Sequence, residues 1–159
     1  MKKLLQLLEE DCTMSTAQLA ALADMTEEET AAAIKKYKEN GILLGNKAII
    51  NWDNSEFEYV TALIEVSVSP QKSDGFDRIA ERIYQYDEVE SVYLMSGGFD
   101  FTVIISGRSL KEVALFVARK LSTIEGVNGT ATHFILKKYK EKHLVFEKQD
   151  QQQERFAFD

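Results

Sequence analysis

Cysteine and histidine are almost absent from this chain of 159 residues: Cys12 is the one cysteine, and His133 and His143 are the only histidines. A lone thiol excludes an internal disulfide framework and fits a reducing cytoplasm. With one cysteine and two histidines there is no metal-ligand cluster. No Ser-His-Asp or Cys-His spacing offers a nucleophile with its base, so neither an enzyme nor a cofactor is expected. Long apolar runs are missing as well. Leu4, Leu5, Leu7 and Leu8 are followed at once by Glu9-Glu10-Asp11, unlike a signal peptide. Nothing approaches the roughly 20 apolar residues that a membrane span needs. The chain also lacks an excess of positive charge. A net charge of −7 argues against a general polyanion binder, so any nucleic-acid contact must come from a local patch.

What remains is a composition 45% apolar, enough for one medium domain or two small ones and too rich for global disorder. Residues 1–50 read as three short helices and a hairpin. Lys2 to Glu10 carries four leucines on a broad face. Ser15-Thr-Ala-Gln18 is a capping box opening a helix with Leu19, Leu22 and Ala23 turned inward. Thr26-Glu-Glu-Glu29 is a second box, opening a helix that runs through Ala31, Ile34 and Tyr37 to a stop at Asn40-Gly41. Only Asp24-Met25 separates the two, so they must cross steeply, as in a helix-turn-helix. Ile42 to Ile50 then reads as two short strands about Gly45-Asn46, a plausible wing.

Residues 51–58 are polar apart from Trp52 and Phe57, and read as a linker whose aromatics pin the wing to the second domain. From residue 59 to 142 the chain repeats strand–helix–strand. Val60, Ala62, Ile64, Val66 and Val68 alternate; Phe76, Ile79, Ala80 and Ile83 recur at helical spacing. Two strands come next, then a helix with Leu110, Val113, Ala114, Val117 and Leu121, and a last strand from Thr130 to Leu136. This βαββαβ order is the ferredoxin-like split βαβ, and the chain as a whole is classed α+β. Helices would cover one sheet face only, while Phe101 to Ile105 is apolar at nearly every position. A second copy covering the other face is therefore expected.

Between the middle strands lies Leu94-Met-Ser-Gly-Gly-Phe-Asp100. Two readings are open. A tight glycine turn beside a carboxylate suits a small zwitterion, with amides for its carboxylate and Asp100 for its ammonium. The other, which this segment taken alone favours, is a plain hairpin in which glycine supplies positive φ.

These features together resemble the Lrp/AsnC (leucine-responsive, or feast-famine) family of bacterial and archaeal transcription factors. The likeness covers roughly residues 1–140. Its most specific parts are Leu94–Asp100, similar to the family's Gly-x-x-Asp turn, and Gly126-Val-Asn-Gly-Thr-Ala-Thr132, similar to its Gly-Val followed by Thr-x-Thr. The resemblance implies a cytoplasmic, amino-acid-responsive regulator of double-stranded DNA. Its effector would lie between subunits at Met95, Gly97, Gly98 and Asp100, with Thr130 and Thr132 as hydroxyl partners. A dimer, tetramer or octamer is implied.

The head departs from the family's chemistry, carrying Ala33 where an arginine is common and Asp24 where the turn has glycine. Residues 1–50 hold six lysines against eight carboxylates, a poor balance for a phosphate backbone. Base contacts would fall to Thr26, Thr30 and the neighbouring glutamates, since glutamate accepts from cytosine N4. Backbone contacts would fall to Lys35, Lys36, Lys38 and Lys47, although such lysines also suit a solvated helix end. The alternative is a metabolite-sensing module whose acidic head meets a protein partner instead of DNA. The tail, 143–159, ends in Arg155-Phe-Ala-Phe158 and could add an edge strand to a neighbour.

Overall fold

The computed structural model describes residues 2–69 and 75–146. The chain divides into two compact units, with the break between Ile49 and Ile50. The Arg155–Phe158 segment lies outside the described residues.

In the first unit, α1 (Lys2–Glu10), α2 (Thr16–Ala23) and α3 (Glu27–Glu39) enclose a small core centred on Leu4, Leu19 and Tyr37. Both capping boxes form. Ser15 Oγ accepts from the Gln18 amide at 3.2 Å, and Gln18 Oε1 accepts from the Ser15 amide at 2.8 Å. Thr26 Oγ1 accepts from the Glu29 amide at 3.1 Å, and Glu29 Oε2 from the Thr26 amide at 2.9 Å. Between the helices Asp24 takes the left-handed conformation, φ 56 and ψ 46, which aspartate tolerates because its short side chain bonds locally. Its carboxylate meets Lys3 Nζ at 2.7 Å, so α1 is tied to the turn.

Two expectations for this unit fail. Leu22 points outward at 47% exposed, and Ala20 takes the inward place instead. With α2 beginning at Thr16, residues 16, 19, 20 and 23 share a face, and Leu22 falls outside that stripe. The wing does not form: residues 43–50 pair in no ladder. The amides of Ile42 and Leu43 both donate to the Tyr37 carbonyl, at 2.8 and 3.1 Å, folding the chain back over the end of α3. A two-stranded ribbon without a surface to cover is marginal, and Ile42, Leu44, Ile49 and Ile50 remain exposed.

The second unit opens with a single helical turn at Trp52–Asn54. There Trp52 stacks on Tyr59 at 4.9 Å and meets Phe57 edge-on at 6.5 Å. It continues through β1 (Val60–Val68), α4 (Gly75–Tyr84), β2 (Val89–Leu94), β3 (Phe101–Gly107), α5 (Leu110–Arg119) and β4 (Val127–Phe134). The strands form one antiparallel sheet in the order β2-β3-β1-β4. β4 begins three residues earlier than the sequence pattern suggests, because Gly126 turns the chain directly into the ladder.

Register explains the core. Ala62, Ile64 and Val66 of β1 lie opposite Ile105, Val103 and Phe101 of β3, and directly opposed residues share a face. Against that face pack Ile79 and Ile83 of α4 and Val113, Phe116 and Val117 of α5. Gly126 sits at φ +94, and a Cβ there would come within 2.9 Å of Ile79 Cδ1. The positive φ is what calls for glycine, while the contact itself is with the movable tip of Ile79.

The other sheet face carries no helix. By register it presents Tyr93, Thr102, Ile104, Leu63, Glu65, Ala131 and His133. Thr61 and Thr102 are buried, Leu63 and Ile104 half-buried, and Tyr93 exposed. Glu65 Oε1 and His133 Nε2 approach to 3.3 Å across the β1–β4 pair. Beyond β4 a small hairpin, β5 (Lys140–Glu141) with β6 (Leu144–Val145), closes the described chain.

Candidate functional site

The glycine turn joins β2 to β3 at the end of the sheet where β1 finishes. The Met95 amide donates to the Asp100 carbonyl at 2.8 Å, and the Asp100 amide donates to the Val66 carbonyl at 3.0 Å. Asp100 Oδ2 then accepts from the Val68 amide at 2.8 Å. Asp100 therefore clips the β2–β3 turn onto the last residues of β1. One carboxylate oxygen is used in this clip, and none of the described hydrogen bonds goes to the other. Gly97 sits at φ +152, a backbone setting that side chains rarely accept. The amides of Gly97 and Gly98 make no hydrogen bond with the described residues. Met95 is 42% exposed beside them.

Thr130 and Thr132 share that end of the domain. Val66 pairs with Phe101 on one side and Thr130 on the other; Ile64 pairs with Val103 and Thr132. The two threonines therefore lie on the helix-covered face, and Thr130 Oγ1 stands 3.4 Å from Ser122 Oγ in the short turn after α5. Two strand spacings, roughly 10 Å, separate them from the Phe101 position beside the glycine turn. One chain thus brings all six residues to one end without closing them around a single small volume.

In the head, Thr26 and Thr30 part company. Thr26 is exposed but occupied by its capping box. Thr30 is fully buried, and its hydroxyl donates to the Thr26 carbonyl at 2.8 Å. The expected base contact from Thr30 is withdrawn: residues 30, 33, 34 and 37 form the inward stripe of α3, and a hydroxyl there bonds its own helix. Lys35, Lys36, Lys38 and Lys47 all reach solvent, with Lys35 3.8 Å from Glu39. Glu27, Glu28 and Glu29 occupy the first turn of α3. Capping bonds from the Thr26 amide and hydroxyl hold the Glu29 carboxyl below its ordinary range. It stays ionised where the helix dipole favours negative charge.

A second constellation is not visible in the sequence. At the opposite end of the sheet, Tyr59 Oη donates to Glu90 Oε1, which also accepts from Ser106 Oγ at 2.5 Å. Burial, then the Glu90 carboxylate, pushes the Tyr59 hydroxyl above its ordinary value. These residues line an open groove of about 830 Å³ together with Phe57, Arg108 and Glu112. Glu90 reaches in because the β2–β3 register slips between Val89 and Ser91. Alternation alone does not reveal such a bulge.

Among the described residues no group of histidine, cysteine and acidic side chains could hold a metal ion, and no helix is long and apolar enough to cross a membrane.

Comparison with known proteins places this geometry. The Lrp/AsnC ligand binding domain matches residues 61–145. The uncharacterized HTH-type transcriptional regulator YugG of Bacillus subtilis is 44% identical over 149 residues, covering 93% of this chain and 90% of its own. A transcriptional regulator of Neisseria meningitidis, solved in complex with L-methionine, superimposes with a TM-score of 0.69 at 22% identity. That match covers 87% of this chain and 89% of the Neisseria chain. The leucine response regulatory protein of Mycobacterium tuberculosis gives a TM-score of 0.74 at 19% identity, covering 92% and 97%. At such identities the two structures show a shared fold. The domain match, the YugG likeness and the helix-turn-helix with its βαββαβ partner together make this chain a member of the Lrp/AsnC family of transcriptional regulators, with a ligand-binding domain at residues 61–145.

Proposed function

We propose that this protein is an amino-acid-responsive regulator that binds double-stranded DNA through its helical head and binds its effector at the glycine turn. The observation that carries the effector reading is the pair of amides at Gly97 and Gly98, beside Asp100, that make no hydrogen bond among the described residues. Amides suit a ligand carboxylate, and the second Asp100 oxygen suits an ammonium. Since one chain leaves this site open, a second copy supplies the missing wall. The helix-free sheet face, with Leu63, Ile104 and Tyr93, is the surface that a second copy covers. Effector binding then changes how subunits associate, and hence how heads are presented to DNA. The Neisseria relative was solved with L-methionine, which puts that amino acid first in the panel to test.

On the DNA side, Lys35, Lys36, Lys38 and Lys47 meet phosphates, while Thr26 and the exposed glutamates of α3 are left for base edges. A single weak head is compensated when assembly presents several heads to one duplex. One observation favours a second reading: three glutamates open α3, and Thr30 is buried. That acidic surface also fits a protein partner in place of DNA. The deciding experiment is retardation of the chain's own upstream DNA at low and moderate salt, with and without each amino acid. A salt-dependent complex that responds to one amino acid supports the regulator; no complex at low salt moves the head to a protein partner.

A further inference from the structure

Four lysines, Lys137, Lys138, Lys140 and Lys142, fall within six residues of a chain whose net charge is −7. The β5–β6 hairpin carries Lys140 and Lys142, and Lys137 and Lys138 lie just before it. Glu141 pairs with Leu144, so Lys142 and His143 are the two residues of the turn. Their φ values are +46 and +71, the geometry of a type I′ turn, which Asn-Gly holds with least strain. Neither position is glycine or asparagine. Lys142, a cation, is thereby held against its own backbone preference. Persisting strain of this kind marks positions whose side chains are needed.

The charge is also open. Lys138 meets Glu141 at 3.1 Å. Lys137 Nζ lies over the Tyr139 ring at 4.8 Å, which leaves its charge uncompensated by a carboxylate. Lys140 and Lys142 are exposed and make no ion pair with the described residues. Tyr139, 71% exposed, adds a hydroxyl of the type that bonds phosphate oxygens. Exposed cations on a narrow ribbon, with a flanking phenol, match a phosphodiester backbone better than a compact ligand. The head, with six lysines against eight carboxylates, leaves room for phosphate contacts elsewhere.

We propose that the Lys137–His143 segment, which runs into the β5–β6 hairpin, is a second, sequence-independent phosphate-contacting surface for duplex DNA; this rests on the DNA-binding reading above. The test uses the full chain and its upstream duplex, measuring affinity across a salt series. One variant is Lys142→Asn with His143→Gly, which relaxes the turn while removing its charge; a second adds Lys140→Gln. The expected result is a melting temperature unchanged or raised, weaker DNA binding, and a log–log salt slope shallower by about 0.9 for each phosphate no longer neutralised. A variant slope equal to that of the parent overturns the hairpin surface and leaves DNA binding by the head standing. Absence of any duplex binding by the parent overturns both. A change in assembled mass by light scattering, with the slope kept, assigns the lysines to self-association and also overturns the proposal.

Discussion

The carboxylate of Asp100 accepts the amide of Val68 at 2.8 Å, so the acid beside the glycine turn is a fastener of the sheet as well as a candidate ligand for an ammonium. The two roles separate by substitution. Asp100→Asn keeps an acceptor for the Val68 amide and loses the charge; Asp100→Ala loses both. We expect both variants to lose amino-acid binding by calorimetry. Only the alanine should lose stability, by about 1–3 kcal/mol for an amide left without its partner. Unchanged affinity in the asparagine variant would remove Asp100 from the effector site.

In the head, Asp24→Asn keeps the left-handed turn, which asparagine also tolerates, and removes the charge that faces Lys3. The hydrogen bond and charge of Lys3 hold the Asp24 carboxyl below its ordinary value. A lowered folded-state pKa contributes stability above the unfolded value of 3.8, and that contribution disappears as pH falls through the folded value. The head should therefore lose less stability between pH 5 and about pH 3 in the variant than in the parent. Circular dichroism during acid titration checks this; identical titrations would mean that the exposed pair contributes nothing.

Gly126→Ala is expected to destabilise the sensing unit by about 1–3 kcal/mol, the usual cost of a side chain at a left-handed position. Its φ is +94, and the added Cβ would meet Ile79 Cδ1 at 2.9 Å. Truncating the obstacle with Ile79→Val should recover the part due to the clash but not the part due to φ. Denaturant unfolding of the single and double variants separates the two.

Self-association should be sensitive to His133→Glu. The substitution sets a second carboxylate beside Glu65, where histidine now lies at 3.3 Å, on the face without helices. We expect an intact fold by circular dichroism and a smaller assembled mass by light scattering. An unchanged mass would place the subunit interface elsewhere.

Replacing Lys35 and Lys36 together by alanine should weaken DNA binding uniformly across sequences. The salt slope should also fall by about 0.9 for each phosphate that these lysines neutralise. A slope that does not move would make them an ordinary solvated helix end.

Much of this architecture is legible in the sequence because its signals are local. The capping boxes at Ser15–Gln18 and Thr26–Glu29 fix helix starts to the residue, and the alternation from Val60 to Val68 names the buried face of β1. The wing is a false expectation because Ile42–Ile50 has the right residues and nothing to pair against. Thr30 misleads because a threonine one turn into a helix looks polar in sequence, while its hydroxyl can be satisfied by Thr26 four residues back. The Tyr59–Glu90–Ser106 cluster is invisible for a different reason. Its members come from three separated segments, brought together by a one-residue slip in register.

β1 has both flanks occupied by strands, and this makes it a tension member. Its last residues are gripped by Asp100, and the residue before it, Tyr59, carries the Trp52 stack. Nine hydrogen-bonded residues, roughly 30 Å of extended chain, join the two grips with little slack. The glycine turn and the aromatic stack at Trp52 thus hold opposite ends of one strand.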